Sequence, residues 1–276
     1  MTMKFAICNE TFQDWPFDKA FAFARECGYT GLELAPFTVA DDVKNISSEK
    51  RAEIKRQADA AGLEIIGLHW LLAKTEGYYL TSPDAETRKR TAEYLGELAK
   101  LCGELGGKVM VFGSPQQRNV LPGVTVEQAT EYAAEVYRAA VPALEEHDVV
   151  LAVEPLGPGD GDFLTTAAEA VELIKMVDSP KCRLHLDCKA MSSEDIPIPD
   201  LIRQHAGLLE HFHANDPNMR GPGFGHLDFD PIFEALRDVD YQGWVSVEVF
   251  DYEPGVERLA SESIEYMQSR LALLDS

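Results

Sequence analysis

Four side chains of the types that bind metal ions occur at the ends of short apolar segments. They are Glu154, Asp187, His213 and Glu248, and 26 to 35 residues separate each one from the next. Three carboxylates and one imidazole favour a hard or borderline divalent cation, such as Mn²⁺, Mg²⁺ or Co²⁺, over a thiolate-type zinc site. Carboxylates can also accept and return protons beside a reacting carbon. The residue types therefore indicate a metal centre that could take part in acid–base chemistry.

The histidine of this set opens a long polar loop. His211 and His213 stand two apart after an apolar run, so in a β-strand both imidazoles point to one face. The following residues, to Phe229, are rich in glycine, proline, asparagine and aspartate and include Arg220. Loops at strand ends commonly carry binding groups, so we predict that Arg220 contacts a substrate oxygen or phosphate. A solvated loop charge is the alternative.

Eight short segments rich in valine, isoleucine and leucine are predicted to form strands, with a helical pattern after each. Parallel strands with crossover helices have this pattern, and a closed (β/α)₈ TIM barrel takes about 250 residues. We therefore predict a single TIM-barrel domain over residues 1–276, with a doubly wound open sheet as the alternative. No G-x-G-x-x-G motif supports a nucleotide site after the first strand. The predicted strands are 4–8, 31–34, 64–68, 108–112, 149–154, 182–187, 209–214 and 244–249.

A barrel collects its active site at the carboxyl ends of its strands. Neighbouring strands lie about 4.8 Å apart, so the four candidate ligands, on four consecutive strands, can converge on one ion. A single buried histidine is commonly a core residue with its hydrogen bonds satisfied, and a single acid at a strand end is often a helix cap or an ion-pair partner. Four such residues at one depth favour a metal site, although a purely structural ion is an alternative.

Further polar residues lie close to the predicted strand ends. His69 ends the third strand and should point into the barrel mouth, and Lys189 lies beside the predicted aspartate ligand. We predict both as substrate-binding residues, and Glu33, at the end of the second strand, as a weaker candidate. His185 and His211 precede the ligands by two residues, so we expect them in a lower layer, outside the first coordination shell.

Composition limits the classes of partner. The formal net charge of −22 argues against nucleic acid and anionic membrane surfaces as partners, and otherwise favours solubility. The five cysteines form no C-x-x-C pair and no disulfide framework, as expected for a reducing cytoplasm. The first strand starts near Met1 with no signal-peptide pattern before it, and no apolar run reaches membrane length. We therefore expect a cytoplasmic protein.

Six motifs together resemble the sugar phosphate isomerase/epimerase family, the xylose isomerase-like TIM barrels. The motifs are GLEL (31–34), GLHW (67–70), AVEP (152–155), LHLDCKAM (184–191), HFHANDPNMRGPGFGHLDF (211–229) and SVEVF (246–250), in family order along nearly the whole chain. The resemblance implies that Glu154, Asp187, His213 and Glu248 bind the metal. It also implies that Glu154 and Glu248 form the acid–base pair, and that a homodimer or homotetramer could form.

Aldose–ketose interconversion, or epimerisation beside a ketone, removes a proton from carbon next to a carbonyl. A cation that chelates the carbonyl and the adjacent hydroxyl stabilises the resulting cis-enediolate, and two carboxylates can then take one proton and return another. We therefore predict a metal-dependent isomerase or epimerase of a sugar or sugar derivative, with Glu154 and Glu248 as the catalytic residues. The expected cofactor is one divalent ion, Mn²⁺ first, with Mg²⁺, Co²⁺ or Zn²⁺ as alternatives.

The match to the better-known ketose 3-epimerases is incomplete. They place a substrate-binding histidine three residues after the metal aspartate, where this chain has Ala190, and their loop after the first metal glutamate carries asparagine and arginine that residues 155–161 lack. Their arginine after the metal histidine is matched only loosely by Arg220.

Three other functions are compatible with parts of the pattern. A lyase or dehydratase that acts on a keto-sugar or sugar conjugate could start from the same enediolate. A DNA-repair endonuclease of the related abasic-site type needs more histidine ligands and a basic face. A non-enzymatic binding module would hold the metal without exchanging substrate protons.

Overall fold

Eight short parallel strands close into a barrel. The computed structural model describes residues 3–274, and the strands neighbour one another in chain order, with the last pairing with the first. This closure confirms the predicted (β/α)₈ barrel and excludes the open doubly wound sheet. The strands are β1 (Lys4–Cys8), β2 (Gly31–Leu34), β3 (Glu64–Leu68), β4 (Val109–Phe112), β5 (Val150–Val153), β6 (Cys182–Asp187), β7 (Leu209–Ala214) and β8 (Trp244–Val247).

Three predicted strands were too long by one or two residues. β5 ends at Val153 and β8 at Val247, so Glu154 and Glu248 lie just beyond the regular ladder, where the chain turns into the loops of the barrel mouth. β4 begins at Val109 and not at Lys108. The strand register places Asp187 directly beside His213 on the neighbouring strand.

The helices surround the barrel and begin at capping residues. Capping boxes form at Thr125 and Thr166. The third helix begins after Asp84, whose carboxylate accepts the Thr87 N–H and serves as the cap. The described chain contains α1 (Phe17–Cys27), α2 (Ser48–Ala61), α3 (Ala85–Leu105), α4 (Val126–Glu146), α5 (Ala167–Val177), α6 (Cys188–Met191), α7 (Ile198–His205), α8 (Asp230–Asp238) and α9 (Val256–Leu274).

The strands separate an apolar layer from a polar barrel interior. Side chains alternate along each strand, and residues such as Leu32, Phe212 and Val245 join the hydrophobic core. The inward side chains are polar and almost completely excluded from solvent; they include Cys8, Glu33, His185, His211, His213 and Ser246. Since burying a charged group is costly unless it is paired, the charged members of this set need partners inside the barrel.

All five cysteines are free thiols, as predicted. Within residues 3–274, no helix is both long enough and apolar enough to cross a bilayer.

Candidate active site

The structure brings the four predicted ligands to the carboxyl end of the barrel. Asp187 is the last residue of β6, His213 is the penultimate residue of β7, and Glu154 and Glu248 directly follow β5 and β8. All four side chains are buried. Glu154, Asp187, His213 and His185 each offer a ligand atom within 4.8 Å of the others. Glu248 joins this set because its Oε2 lies 3.0 Å from His213 Nδ1.

A cavity of about 130 Å³ opens beside these residues. Glu154, His213 and Glu248 line it together with two predicted substrate-binding residues, His69 and Lys189. The remaining lining residues are Trp70, Gly113, Ser114, Pro115, Leu156, Asp160, Met219 and Phe250. The mixture of apolar walls and a few converging polar groups is typical of small-molecule sites.

Arg220 is the predicted substrate-binding residue that the structure does not place in this lining. Its Nε donates to Asp251 Oδ2 at 2.9 Å, and its Nη2 donates to Glu253. These ion pairs connect the loop after β7 to the loop after β8. The long side chain is therefore engaged in joining two loops and does not point into the cavity lining.

The carboxylates crowd one another. Burial, then the nearby carboxylates of Glu248 and Asp187, raise the pKa of Glu154 well above its ordinary value. Burial and Glu248 raise the pKa of Asp187 to about 6. Burial also acts to raise the pKa of Glu248, but the neighbouring His213 outweighs it and lowers that pKa. A buried cluster of this kind is electrostatically suited to a cation.

Glu33 fixes the orientation of the His213 ring. His213 Nε2 lies 3.1 Å from Glu33 Oε2, and the same oxygen lies 2.8 Å from His211 Nε2. Since a carboxylate accepts hydrogen bonds, His213 donates through Nε2 and turns Nδ1 toward Glu248. Burial acts to raise the pKa of Glu33, but the two imidazoles hold it well below its ordinary value. Glu33 is therefore an anion that orients a candidate metal ligand.

Asp187 is held by two hydrogen bonds. Its Oδ1 accepts the Ala190 N–H at 2.8 Å and so caps α6, and its Oδ2 accepts from Asn215 Nδ2 at 2.6 Å. Asn215 Oδ1 in turn accepts the backbone N–H of Lys189 at 2.8 Å. Asp187 therefore caps a helix, as a single acid at a strand end often does, and also faces the candidate metal centre.

Two structural features position the glutamates. Trp70 Nε1 donates to Glu248 Oε1 at 2.8 Å, and Trp70 adopts a φ of 53°, a left-handed conformation that is costly for a bulky side chain. Glu154 lies against the backbone of Gly113, where an added Cβ would be 1.9 Å from Glu154 Oε2. A glycine is therefore required for Glu154 to occupy this position.

His69 forms a close pair with Glu10, whose part in the site the sequence did not indicate. The His69 Nε2–Glu10 Oε2 distance is 2.6 Å, and both side chains are almost fully buried. Glu10 lies in a short helical turn after β1, where no regular pattern pointed to it. Asn215 and Gly113 were also missed, although each directly follows a predicted strand and so occupies a position where site residues were expected.

His185 precedes Asp187 by two residues on β6 and offers a ring nitrogen within 4.8 Å of ligand atoms of Glu154, Asp187 and His213, so its place outside the first coordination shell stays a prediction. Its ring centroid is 4.2 Å from that of His213. Among the residues that the structure describes, neither of its ring nitrogens has a hydrogen-bond partner. Burial, then the neighbouring His213 and His211, hold its pKa well below the ordinary value, so the ring is neutral.

In a comparison with known proteins, residues 21–270 of this chain match a family model described as "xylose isomerase-like TIM barrel". A "probable ketose 3-epimerase" from Synechocystis sp. is 25% identical over 90% of this chain and 88% of its own length. The hydroxypyruvate isomerase of Escherichia coli (strain K12) is 24% identical over 88% of this chain and 90% of its own. A D-psicose 3-epimerase structure with D-tagatose, from Clostridium cellulolyticum H10, superposes with a TM-score of 0.85 at 22% identity, covering 98% of this chain and 99% of that one. This last likeness is one of fold.

Proposed function

This chain belongs to the xylose isomerase-like TIM barrel family and is an enzyme of the isomerase/epimerase class, and from this premise we propose that it is a divalent-metal-dependent isomerase or epimerase of a sugar or sugar derivative. The observation that carries the proposal is the convergence of three buried carboxylates and one imidazole on one end of the barrel, three of them lining a cavity. The names of the sequence relatives, which are epimerases and isomerases of small sugars and sugar-like molecules, support it.

We assign Glu154, Asp187, His213 and Glu248 as the residues that would hold one divalent cation, with Mn²⁺ preferred and Mg²⁺, Co²⁺ or Zn²⁺ as alternatives. The donor set fits such an ion, because oxygen donors dominate and the carboxylates repel one another in its absence. His213 Nδ1 and Glu248 Oε2, 3.0 Å apart, mark a place where a cation can replace the proton between them. When bound, the cation supplies a Lewis acid that polarises a substrate carbonyl.

Glu154 and Glu248 are proposed to move the protons. Both line the cavity, and they extend from strands that two others separate, so they approach a bound substrate from different sides. One carboxylate removes the proton from carbon next to the carbonyl, and the other returns a proton to the enediolate. Trp70 holds Glu248 Oε1 by a hydrogen bond, and the missing side chain of Gly113 leaves room for the Glu154 carboxylate.

We propose that His69 and Lys189 contact the substrate. Both line the cavity; His69 is backed by Glu10, and Lys189 Nζ pairs with Asp160 Oδ2 at 2.5 Å. We omit Arg220 from the substrate contacts because its guanidinium is paired with two acids outside the lining. A small sugar is the expected partner, and the net charge of −22 supports the exclusion of nucleic acid. We retain the expectation of a cytoplasmic protein.

Glu154→Gln and Glu248→Gln test the mechanism. Glutamine keeps an oxygen donor for the cation but cannot shuttle a proton, so we expect both variants to retain metal and lose turnover by about 10²- to 10⁴-fold. Metal content is measured by elemental analysis, and proton transfer by NMR of solvent deuterium entering ketoses and aldoses. Glu131→Gln, an exposed change on α4, is the control. Near wild-type turnover in both active-site variants would exclude the two-carboxylate mechanism, and products that have lost water or a substituent would identify a lyase.

A further inference from the structure

A second cleft adjoins the catalytic cavity, and we propose that it is a subsite for a second sugar unit linked to the reacting one. The inference rests on the proposed function, since it assumes that the reacting sugar occupies the cavity. It deepens that function by naming the substrate class: uncharged disaccharides in which a ketose keeps its carbonyl free and carries a second sugar on another hydroxyl, such as isomaltulose.

The cleft lies over the opposite half of the barrel mouth from β5–β7. It measures about 640 Å³, and residues after β1, β2, β3 and β8 line it, together with the first turn of α1 and the first three turns of α2. Trp70 lines both spaces. Glu10 lines the cleft, and its partner His69, 2.6 Å away, lines the cavity. The two spaces therefore share a wall made of Trp70 and the Glu10–His69 pair.

The volumes indicate that the cavity alone is small for a complete ligand. Pockets for small molecules usually span about 300–1,000 Å³, whereas the cavity holds only about 130 Å³. The cleft adds about 640 Å³ on the far side of a single indole ring. A substrate with one sugar in the cavity and a second ring in the cleft would use both.

The lining of the cleft has the chemistry that binds a hydroxylated ring. Trp15, Phe37, Trp70 and Tyr252 are all partly exposed there. Lys19 covers one face of Trp15 and Lys74 one face of Phe37, and the uncovered aromatic surface attracts the polarised C–H bonds of a sugar. The ring planes of Phe37 and Trp70 meet at 74° with ring centroids 6.1 Å apart, and so form two sides of a corner. Aromatic sides of this kind suit a flat, uncharged ring.

Two acceptor oxygens of the lining lack partners. Among the described residues, neither Glu10 Oε1 nor Gln57 Oε1 receives a hydrogen bond. Buried acceptors are normally satisfied, and both side chains line the cleft, so rotation of either side chain would present its oxygen to a hydroxyl donor of a ligand. Sugar hydroxyls are donors of the required type.

The charge of the cleft disfavours an acidic substituent. Four carboxylates line it, against two lysines. One of these, Lys50, already pairs with Glu53 at 3.1 Å, and the other, Lys74, lies over the Phe37 ring at 4.3 Å. A phosphate or carboxylate would meet like charge, so the substituent is neutral. The four carboxylates are Glu10, Asp14, Asp18 and Glu53.

Calorimetric titration of the Mn²⁺-loaded protein tests the subsite with two probes that share a ketose ring, D-fructose and the glucosyl-fructose isomaltulose. We expect isomaltulose to bind at least about tenfold more tightly than D-fructose. Phe37→Ala should remove most of that preference while leaving D-fructose affinity unchanged, and Gln57→Ala, a milder change on α2, should reduce it. Tyr132→Ala, a partly exposed aromatic on α4 outside the cleft, is the matched control.

Equal affinity for the two sugars, binding of neither, or an equal loss of both in Phe37→Ala would overturn the subsite. Deuterium exchange at ketose C3 is followed separately. Exchange without a disaccharide preference would leave the proposed function standing and remove the subsite. A preference that depends on Phe37, without any exchange, would retain the subsite and contradict the isomerase mechanism.

Discussion

Glu33 lies beneath the candidate metal centre and accepts hydrogen bonds from both His213 and His211. Hydrogen-bond partners of this kind orient metal-binding histidines and raise their basicity. We expect Glu33→Gln to weaken Mn²⁺ binding by about 10- to 100-fold, measured by calorimetric titration of the metal-free protein. Glu64→Gln, an exposed change at the start of β3, should leave the affinity unchanged. Unaltered binding in Glu33→Gln would mean that the orientation of His213 is set by its other neighbours.

Trp70 makes a similar contribution to the proposed proton transfer. Its indole N–H donates to Glu248 Oε1 from a strained backbone conformation, and strain of this kind is often stored at functional sites. Trp70→Phe keeps an aromatic wall but removes the donor, so we expect kcat to fall by about tenfold or more while Mn²⁺ affinity stays within about twofold. Steady-state kinetics and metal titration give the two values. Trp244→Phe, at the opposite end of the barrel, serves as control, and an unchanged kcat in Trp70→Phe would reject the positioning role.

The part of the site that the sequence could predict consists of residues at the strand ends. The eight strands are short apolar runs, so sequence periodicity located them, and the topology of a barrel then brings Glu154, Asp187, His213 and Glu248 together. The remaining contacts depend on side-chain direction and loop conformation, which no periodicity records. The sequence therefore did not indicate Glu10, and it could not show that Arg220, predicted to contact a substrate oxygen or phosphate, pairs with acids on the neighbouring loop.

Gly113, where β4 meets its loop, provides a test of how closely the backbone must approach the Glu154 carboxylate. An alanine Cβ at Gly113 would lie 1.9 Å from Glu154 Oε2, so the carboxylate would have to move. We expect Gly113→Ala to fold but to lose turnover by at least about 10²-fold, as small misplacements of reacting groups do. Gly159→Ala, where an added Cβ meets nothing within 4 Å, should be neutral. Circular dichroism and steady-state rates distinguish the variants, and a fully active Gly113→Ala would show that Glu154 need not occupy its present position.

The barrel as a whole must accommodate the free-energy cost of burying the charged groups of its site. Helices cover the outside of the sheet with apolar contacts, while the interior encloses carboxylates and imidazoles that neutralise one another in pairs. Glu154 and Asp187 carry an additional cost, because burial and then the neighbouring carboxylates raise the pKa of each. A cation bound at this end of the barrel would therefore stabilise the fold as well as the reaction.

Thermal unfolding with and without Mn²⁺ measures that contribution. A ligand at 100 times its dissociation constant stabilises the native state by about 2.7 kcal/mol. For a chain of this size each kcal/mol shifts Tm by about 2–4 °C, so we expect Mn²⁺ to raise Tm by roughly 5–11 °C and a chelator to reverse the change. Asp187→Asn can still cap α6 but lacks the negative charge of the metal-binding carboxylate. The Tm of this variant should therefore respond much less to Mn²⁺. Asp200→Asn, exposed on α7, should respond like the wild type. An equal Mn²⁺ response in Asp187→Asn would place the bound ion elsewhere.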